Sequence, residues 1–317
     1  MIPSLLQIPS AVSDSKLHSV LPNNGKGDFT FDRSTGATRI NKDGLIEEVG
    51  YFSSELVQNG NFSELGSELI VNGDFATTDN WYAPTGWSIN DGKAIANFSG
   101  GATGRLTENV SFTQNKTYKI VFTISDYEQG SIRIEFRQGG GNTVSANYSG
   151  NGTYTLYQVA GYNHTQLSIR GLGDAVLKID NVSVKQVDPN SEWTLGAGFS
   201  FAEDGLKFTN LGGTAVIQNP VWYLNKTYKV TVNLSYTSGT RIILPYDGSN
   251  TSNTISVNTA GTNVTYSYTI TPLTNTPNLY IYGDGNATGT IHSVSVKEVL
   301  GDRPRLSYDI TNGVVED

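Results

Sequence analysis

Apolar and polar positions along this chain alternate mostly with a period of two. Ile132, Ile134 and Phe136 interleave with Arg133, Glu135 and Arg137. That pattern predicts a strand with one face in a core and the other polar. Further short runs at 88–89, 93–98, 105–112, 118–124, 152–159, 166–170 and 175–184 are separated by Gly, Asn, Asp and Ser, and no long segment of period 3.6 stands out. Short strands divided by turn residues predict an all-β chain, and their number and spacing predict two-sheet jelly-roll β-sandwiches.

The pattern occurs twice. Asn115-Lys116-Thr117-Tyr118-Lys119 returns unchanged as Asn225-Lys226-Thr227-Tyr228-Lys229, and each copy opens an apolar run. Downstream, Val182-Ser183-Val184-Lys185 is matched by Val294-Ser295-Val296-Lys297; upstream, Trp81 and Gly86-Trp87 are matched by Trp193 and Gly198-Phe199. Matched phrases at matched separation mean tandem copies of one module, here 55–187 and 191–299, with Trp87 and Phe199 assigned to the cores.

A smaller duplication sits ahead of the first module. Glu55-Leu56-Val57-Gln58-Asn59-Gly60-Asn61-Phe62 recurs as Glu68-Leu69-Ile70-Val71-Asn72-Gly73-Asp74-Phe75, whereas the second module starts at Trp193 with no such strand before it. The spare copy either completes the second module, or a neighbouring chain's module, by strand addition, or it is the remnant of a lost repeat. Outside the modules, residues 1–27 carry Pro3, Pro9 and Pro22 and read as an extended arm with one short strand near Leu17. Residues 28–49 read as short strands, and Asn41-Lys42-Asp43-Gly44 is a hairpin signal among them.

Composition narrows the function. The 317 residues carry a net charge of −8 and no cysteine. No Lys/Arg cluster of the kind nucleic acid requires is visible in the sequence. Disulfides, thiolate metal sites and cysteine nucleophiles are excluded. Residues 1–16 lack the basic start of a signal peptide, and no apolar run approaches a membrane span. His18, His164 and His292 fall in no nucleophile or zinc motif, and Gly139-Gly140-Gly141 follows a strand without a helix behind it, so it reads as a hairpin tip rather than a phosphate loop. An enzyme is not expected.

Two resemblances add to this. The stretch from Gly27-Asp28-Phe29-Thr30-Phe31 through Thr38-Arg39-Ile40-Asn41-Lys42-Asp43-Gly44 to Glu47-Glu48-Val49 resembles a segment of tailed-bacteriophage fibre and appendage proteins. The phrase that normally follows it almost at once stands here far downstream as Arg303-Pro304-Arg305-Leu306-Ser307-Tyr308-Asp309, which implies that the two sandwiches are inserted into a small β framing module made of residues 28–54 and 300–317. The resemblance implies a structural virion protein on the particle surface (fibre, appendage or capsid decoration), bound to other virion proteins through the arm and frame, with a homotrimer as the assembly common among such proteins. Within the modules, Val71-Asn72-Gly73-Asp74-Phe75, Gly86-Trp87, Asn115-Lys116-Thr117-Tyr118 and Ile179-Asp180-Asn181-Val182 resemble carbohydrate-binding modules of the family 4/9 type. That resemblance implies glycan partners and a structural calcium ion in the first module, held by Asp180 with Asn72 or Asp74. His292 replaces the carboxylate in the second module, so no ion is expected there. Glycan binding calls for exposed rings that stack on pyranose faces. The candidates are Trp81, Tyr82, Tyr148, Tyr154, Tyr157 and Tyr162 in the first module, and Trp222, Tyr223, Tyr246, Tyr280 and Tyr282 in the second. The two functional readings are a virion protein that attaches to host glycans and a carbohydrate-binding protein or accessory module.

Overall fold

The computed structural model describes residues 52–218, 222–246, 254–272 and 278–299, together with the backbone of short strands outside them. Those outer strands are β1 (Pro9–Ser13), β2 (Lys16–Ser19), β3 (Phe29–Thr30), β4 (Ala37–Ile40) and β5 (Ile46–Val49) at the start. β24 (Ser307–Asp309) and β25 (Gly313–Val315) lie at the end. The arm is more ordered than a single short strand: β1 and β2 pair antiparallel, and β3 of the expected frame pairs with β2. β4 pairs with β5, and β24 pairs with β25. The frame segments form local hairpins, and the turn expected at 41–44 falls outside the described residues.

The first sandwich is built from β6 (Leu65–Glu68), β7 (Trp87–Asn90), β8 (Lys93–Asn97), β9 (Gly104–Phe112), β10 (Thr117–Arg137), β11 (Thr143–Tyr148), β12 (Gly152–Val159) and β13 (His164–Val187). The separate strands expected at 118–124 and 131–137 are one continuous strand, as are those at 166–170 and 175–184. β10 and β13 pair along their whole length, from Tyr118 opposite Gln186 to Arg137 opposite Gln166, but their outer neighbours change at the middle. The early half of β10 is flanked by β12 and its late half by β11. The late half of β13 is flanked by β8 and β6 and its early half by β9. The ribbon therefore contributes to both layers. It turns at Gly130, whose φ of 78° and contact with the Ala175 backbone leave no room for a side chain. Inward residues from both halves meet in one core: Ile120, Phe122 and Ile124 with Ile132, Ile134 and Phe136, and Leu167 and Ile169 with Ile179 and Val184.

The second sandwich repeats the plan with the long strands broken. One layer is β14 (Trp193–Leu195), β17 (Thr214–Gln218), β22 (Leu279–Asp284), β19 (Arg241–Tyr246) and β20 (Ile255–Val257), in that order. The other is β15 (Phe199–Ala202), β16 (Gly205–Leu211), β23 (Ala287–Glu298), β18 (Tyr228–Ser238) and β21 (Gly261–Ile270). Gly239, with φ of 112° against the Ala287 backbone, stands where the first sandwich has Gly130. Trp87 and Phe199 are buried in their cores, as their sequence positions suggest.

The spare copy, residues 55–62, belongs to the second sandwich of the same chain, as an irregular segment ending in a turn and not as a ladder strand. Leu56 N–H donates to Val296 O at 3.0 Å and Val294 N–H to Gly60 O at 2.8 Å. Leu69 to Val184 (2.9 Å) and Val182 to Gly73 (2.8 Å) do the same in the first sandwich. Glu55 Oε1 accepts from the backbone of Leu56, Val57 and Val296, and its Oε2 from Ser295; Glu68 makes the same four bonds with Leu69, Ile70, Val184 and Ser183. The indole of Trp193 donates to Asn59 O and packs on Phe62 at 5.0 Å; Trp81 donates to Asn72 O and packs on Phe75 at 5.1 Å. Val57 and Phe62 are buried in the second core. The expected boundary at 55 is thus corrected: residues 55–62 open the second sandwich, and the first sandwich is inserted between that opening segment and the rest.

Candidate functional site

Register decides which polar residues meet. On the late half of β10, Ile134 and Phe136 point inward, so Arg133, Glu135 and Arg137 share the outer face. β13 places Arg170 opposite Arg133, Ser168 opposite Glu135 and Gln166 opposite Arg137. β9 adds Arg105 beside Arg170, Thr107 beside Ser168 and Asn109 beside Gln166. Tyr82 forms an antiparallel bridge with Thr107, through N–H···O bonds of 2.8 and 3.1 Å, and so extends the Glu135–Ser168–Thr107 row with an exposed ring. The row thus runs from exposed Tyr82 at one end to exposed Val144, opposite Glu135 on β11, at the other.

Its centre is Glu135. The carboxylate is about 1% exposed, although it is on the outer face, because arginines cover it. Arg105 Nε donates to Oε2 at 2.8 Å and Arg133 Nε to Oε1 at 2.7 Å. Arg137 and Arg170 approach to 3.8 Å. Burial pushes the Glu135 carboxyl up, but hydrogen bonds and charge from Arg105 and Arg133 more than offset it and hold it below the ordinary value. Three neighbouring atoms are buried without a hydrogen-bond partner: Arg137 Nε, Arg170 Nε and Ser168 Oγ.

The matched face of the second sandwich has other chemistry. Tyr282 lies opposite Ala215 on β17 and Ile243 on β19; Tyr280 lies opposite Ile217 and Tyr246. Tyr280 and Tyr282 are half-buried and Ile243 is buried. An aromatic and aliphatic strip, flanked by the Arg241–Asp284 ion pair at 3.1 Å, takes the place of the four-arginine cluster.

The other expected site residues are dispersed. Trp81 and Trp222 are 6% and 1% exposed and offer no ring face to a ligand: Trp81 is held by its own opening segment, and Trp222 packs on Tyr228 at 6.1 Å. Tyr148 packs on Phe122 and Tyr154 within the first core, and burial pushes its hydroxyl up. Tyr157 lies under Lys119 Nζ at 5.7 Å and packs against the second core, so it joins the two sandwiches. Tyr82, Tyr162 and Tyr223 are exposed, but Tyr162 and Tyr223 lie outside the polar rows described above. The Tyr246 backbone is in β19; its side chain lies outside the described residues.

The residues expected to hold calcium each bond within their own segment. Asn72 Nδ2 donates to the carbonyls of Thr77 and Asp79, each at 2.9 Å, and Asn72 Oδ1 accepts from Thr77 N–H. Asp74 accepts from Ala76 N–H and Asp180 from Asn181 N–H. The Asn72 side chain thus spans its own loop through Thr77 and Asp79. Among the described residues no group of three or more His, Asp or Glu side chains is placed to hold a metal, and no helix is long and apolar enough to cross a membrane.

No protein-family model matches the chain, and no curated protein matches it. Similar solved structures do exist. One described as "CBM4 structure and function" is 18% identical, spans 41% of this chain and 99% of its own, and has a TM-score of 0.27. The CBM22-1-CBM22-2 tandem domain from Paenibacillus barcinonensis Xyn10C is 11% identical over 74% of this chain and 97% of that one, with a TM-score of 0.29. A fucolectin from striped bass (Morone saxatilis) serum is 10% identical over 74% of this chain and all of its own, with a TM-score of 0.25. These likenesses concern the β-sandwich alone.

Proposed function

We propose that this protein is a non-catalytic carbohydrate-binding protein that uses the outer face of the β9–β13–β10–β11 layer. The observation that carries the reading is the row Tyr82–Thr107–Ser168–Glu135. An exposed ring for stacking stands at the end of a row covered by partly exposed arginines, whose guanidinium N–H groups can donate to sugar hydroxyls. The strip of Tyr280 and Tyr282 on the matched layer of the second sandwich gives a second platform. The test is a glycan array probed with the full chain and with Tyr82→Ala. The variant is expected to lose roughly tenfold in affinity for the bound glycan, with its melting temperature unchanged, because an exposed stacking ring carries binding energy and little fold stability. Absence of any glycan binding overturns the reading.

A second reading concerns where the sites are displayed. The likeness of residues 27–49 and 303–309 to phage appendage segments supports attachment of the two sandwiches to a virion, with glycans of the host surface as targets. Co-sedimentation of the chain with purified particles tests it, and failure to sediment counts against it.

A further inference from the structure

We infer that the face around Glu135 selects anionic glycans, chains that carry carboxylate or sulfate groups, over neutral ones. This rests on the carbohydrate reading of the same face and adds the charge of its ligand. Two guanidinium groups, those of Arg105 and Arg133, already satisfy the Glu135 carboxylate with bonds of 2.7–2.8 Å. Arg137 and Arg170 pair with the same carboxylate only at 3.8 Å, beyond hydrogen-bond reach. Each has a buried Nε with no hydrogen-bond partner, and Ser168 beside them has a buried hydroxyl in the same condition. Four guanidinium groups, each about a quarter to a third exposed, thus share one carboxylate.

Such a concentration of like charge is costly when partly desolvated and is relieved by an added anion. It also stands out on a chain whose net charge is −8. Guanidinium forks match the planar carboxylate of a uronic or sialic acid, and also the oxygens of a sulfate ester. The second sandwich provides the internal contrast: its matched face puts Tyr280 and Tyr282 where the first has arginine, serine and glutamate.

The experiment is a glycan array containing uronate-bearing, sialylated, sulfated and neutral chains, probed with the intact protein. Calorimetry then follows on the best acidic binder and its carboxyl-reduced or desulfated counterpart. The acidic form is expected to bind at least tenfold more tightly, and the preference should shrink when salt is raised from about 0.05 to about 0.5 M. The double variant Arg137→Gln/Arg170→Gln is expected to lose about tenfold or more for the acidic form and to keep its affinity for the neutral one. Arg137→Lys, which keeps the charge and loses the fork, gives an intermediate loss and serves if the double variant does not fold. Carboxylated and sulfated arms separate the two anion sources. Binding of neutral glycans alone, or equal affinity for acidic and neutral forms, overturns the charge inference and leaves the carbohydrate reading standing. Binding of no glycan overturns both.

Discussion

Glu55 and Glu68 make the same set of bonds in two different sandwiches, each tying the start of an opening segment to the Ser-Val step of a closing strand. A third glutamate behaves differently. Glu108 accepts from Val71 N–H at 2.9 Å, but its Oε2 is buried without a partner, and its pKa is pushed up to about 7. Burial is the main cause, opposed by the Val71 bond and reinforced by the charge of Glu68. A carboxyl whose folded pKa lies above its unfolded one binds its proton more tightly when folded. The first sandwich therefore loses stability as pH rises from the ordinary 4.5 to about 7, and the loss levels off above that. It is of the order of 2–3 kcal/mol. Glu108→Gln is expected to melt higher than the parent at about pH 8 and alike at about pH 4; an equal difference at both values rules this out. Little of this chemistry was legible in the residues alone. Trp81 and Trp222 read as candidate sugar platforms in the sequence, yet a large ring with one donor is equally suited to closing a core. What Trp81 does is visible only once its indole meets Asn72 O.

At the level of elements, sequence periodicity carried far. Alternation at 131–137 showed a core face and a polar face, and the structure keeps both. What the period could not supply was register: Arg105 and Arg170 are remote in sequence and join Arg133, Glu135 and Arg137 only through ladder pairing. The same limit left the spare copy unassigned, since its twin explained its shape and not its partner. Backbone bonds to Val294 and Val296 and burial of Val57 and Phe62 now give it one. Val57 is 4% exposed, so Val57→Asp would put an unpaired charge into the second core and should cost more than about 3 kcal/mol. By differential scanning calorimetry the transition of the second sandwich should fall sharply while that of the first stays in place. An unchanged second transition would mean that 55–62 adds nothing to that core.

On the scale of the whole molecule, the chain enters and leaves the inserted sandwich at one point. Asp188 N–H donates to Glu64 O at 3.0 Å, Asn190 Nδ2 reaches Glu64 Oε1, Asn59 Nδ2 reaches Asp188 Oδ1, and Leu65 pairs with Val187. Adjacent entry and exit are what allow one domain to sit within another without straining its host. Among the described residues, the sandwiches also meet where Lys119 Nζ lies 3.8 Å from Glu203, Lys116 bonds Ser191, and Tyr157 and Val187 pack on the second core. The second sandwich should therefore survive loss of the first. A chain in which residues 66–186 are replaced by a tight Asn–Gly turn closes the ladder between Leu65 and Val187. It is expected to keep a cooperative transition and dispersed amide resonances. The complementary chain beginning at residue 191 lacks the opening segment, leaves the Trp193 indole without Asn59 O and uncovers the core beneath Val57 and Phe62. Each of those two side chains contributes roughly 1.5–3 kcal/mol by burial, against a total stability of about 5–15 kcal/mol for an ordinary domain. That chain should be molten or unfolded. If both chains fold equally well, the opening segment is an ornament and the nested order of the two sandwiches has no structural consequence; if only the first folds, the segment ahead of the first sandwich is what completes the second.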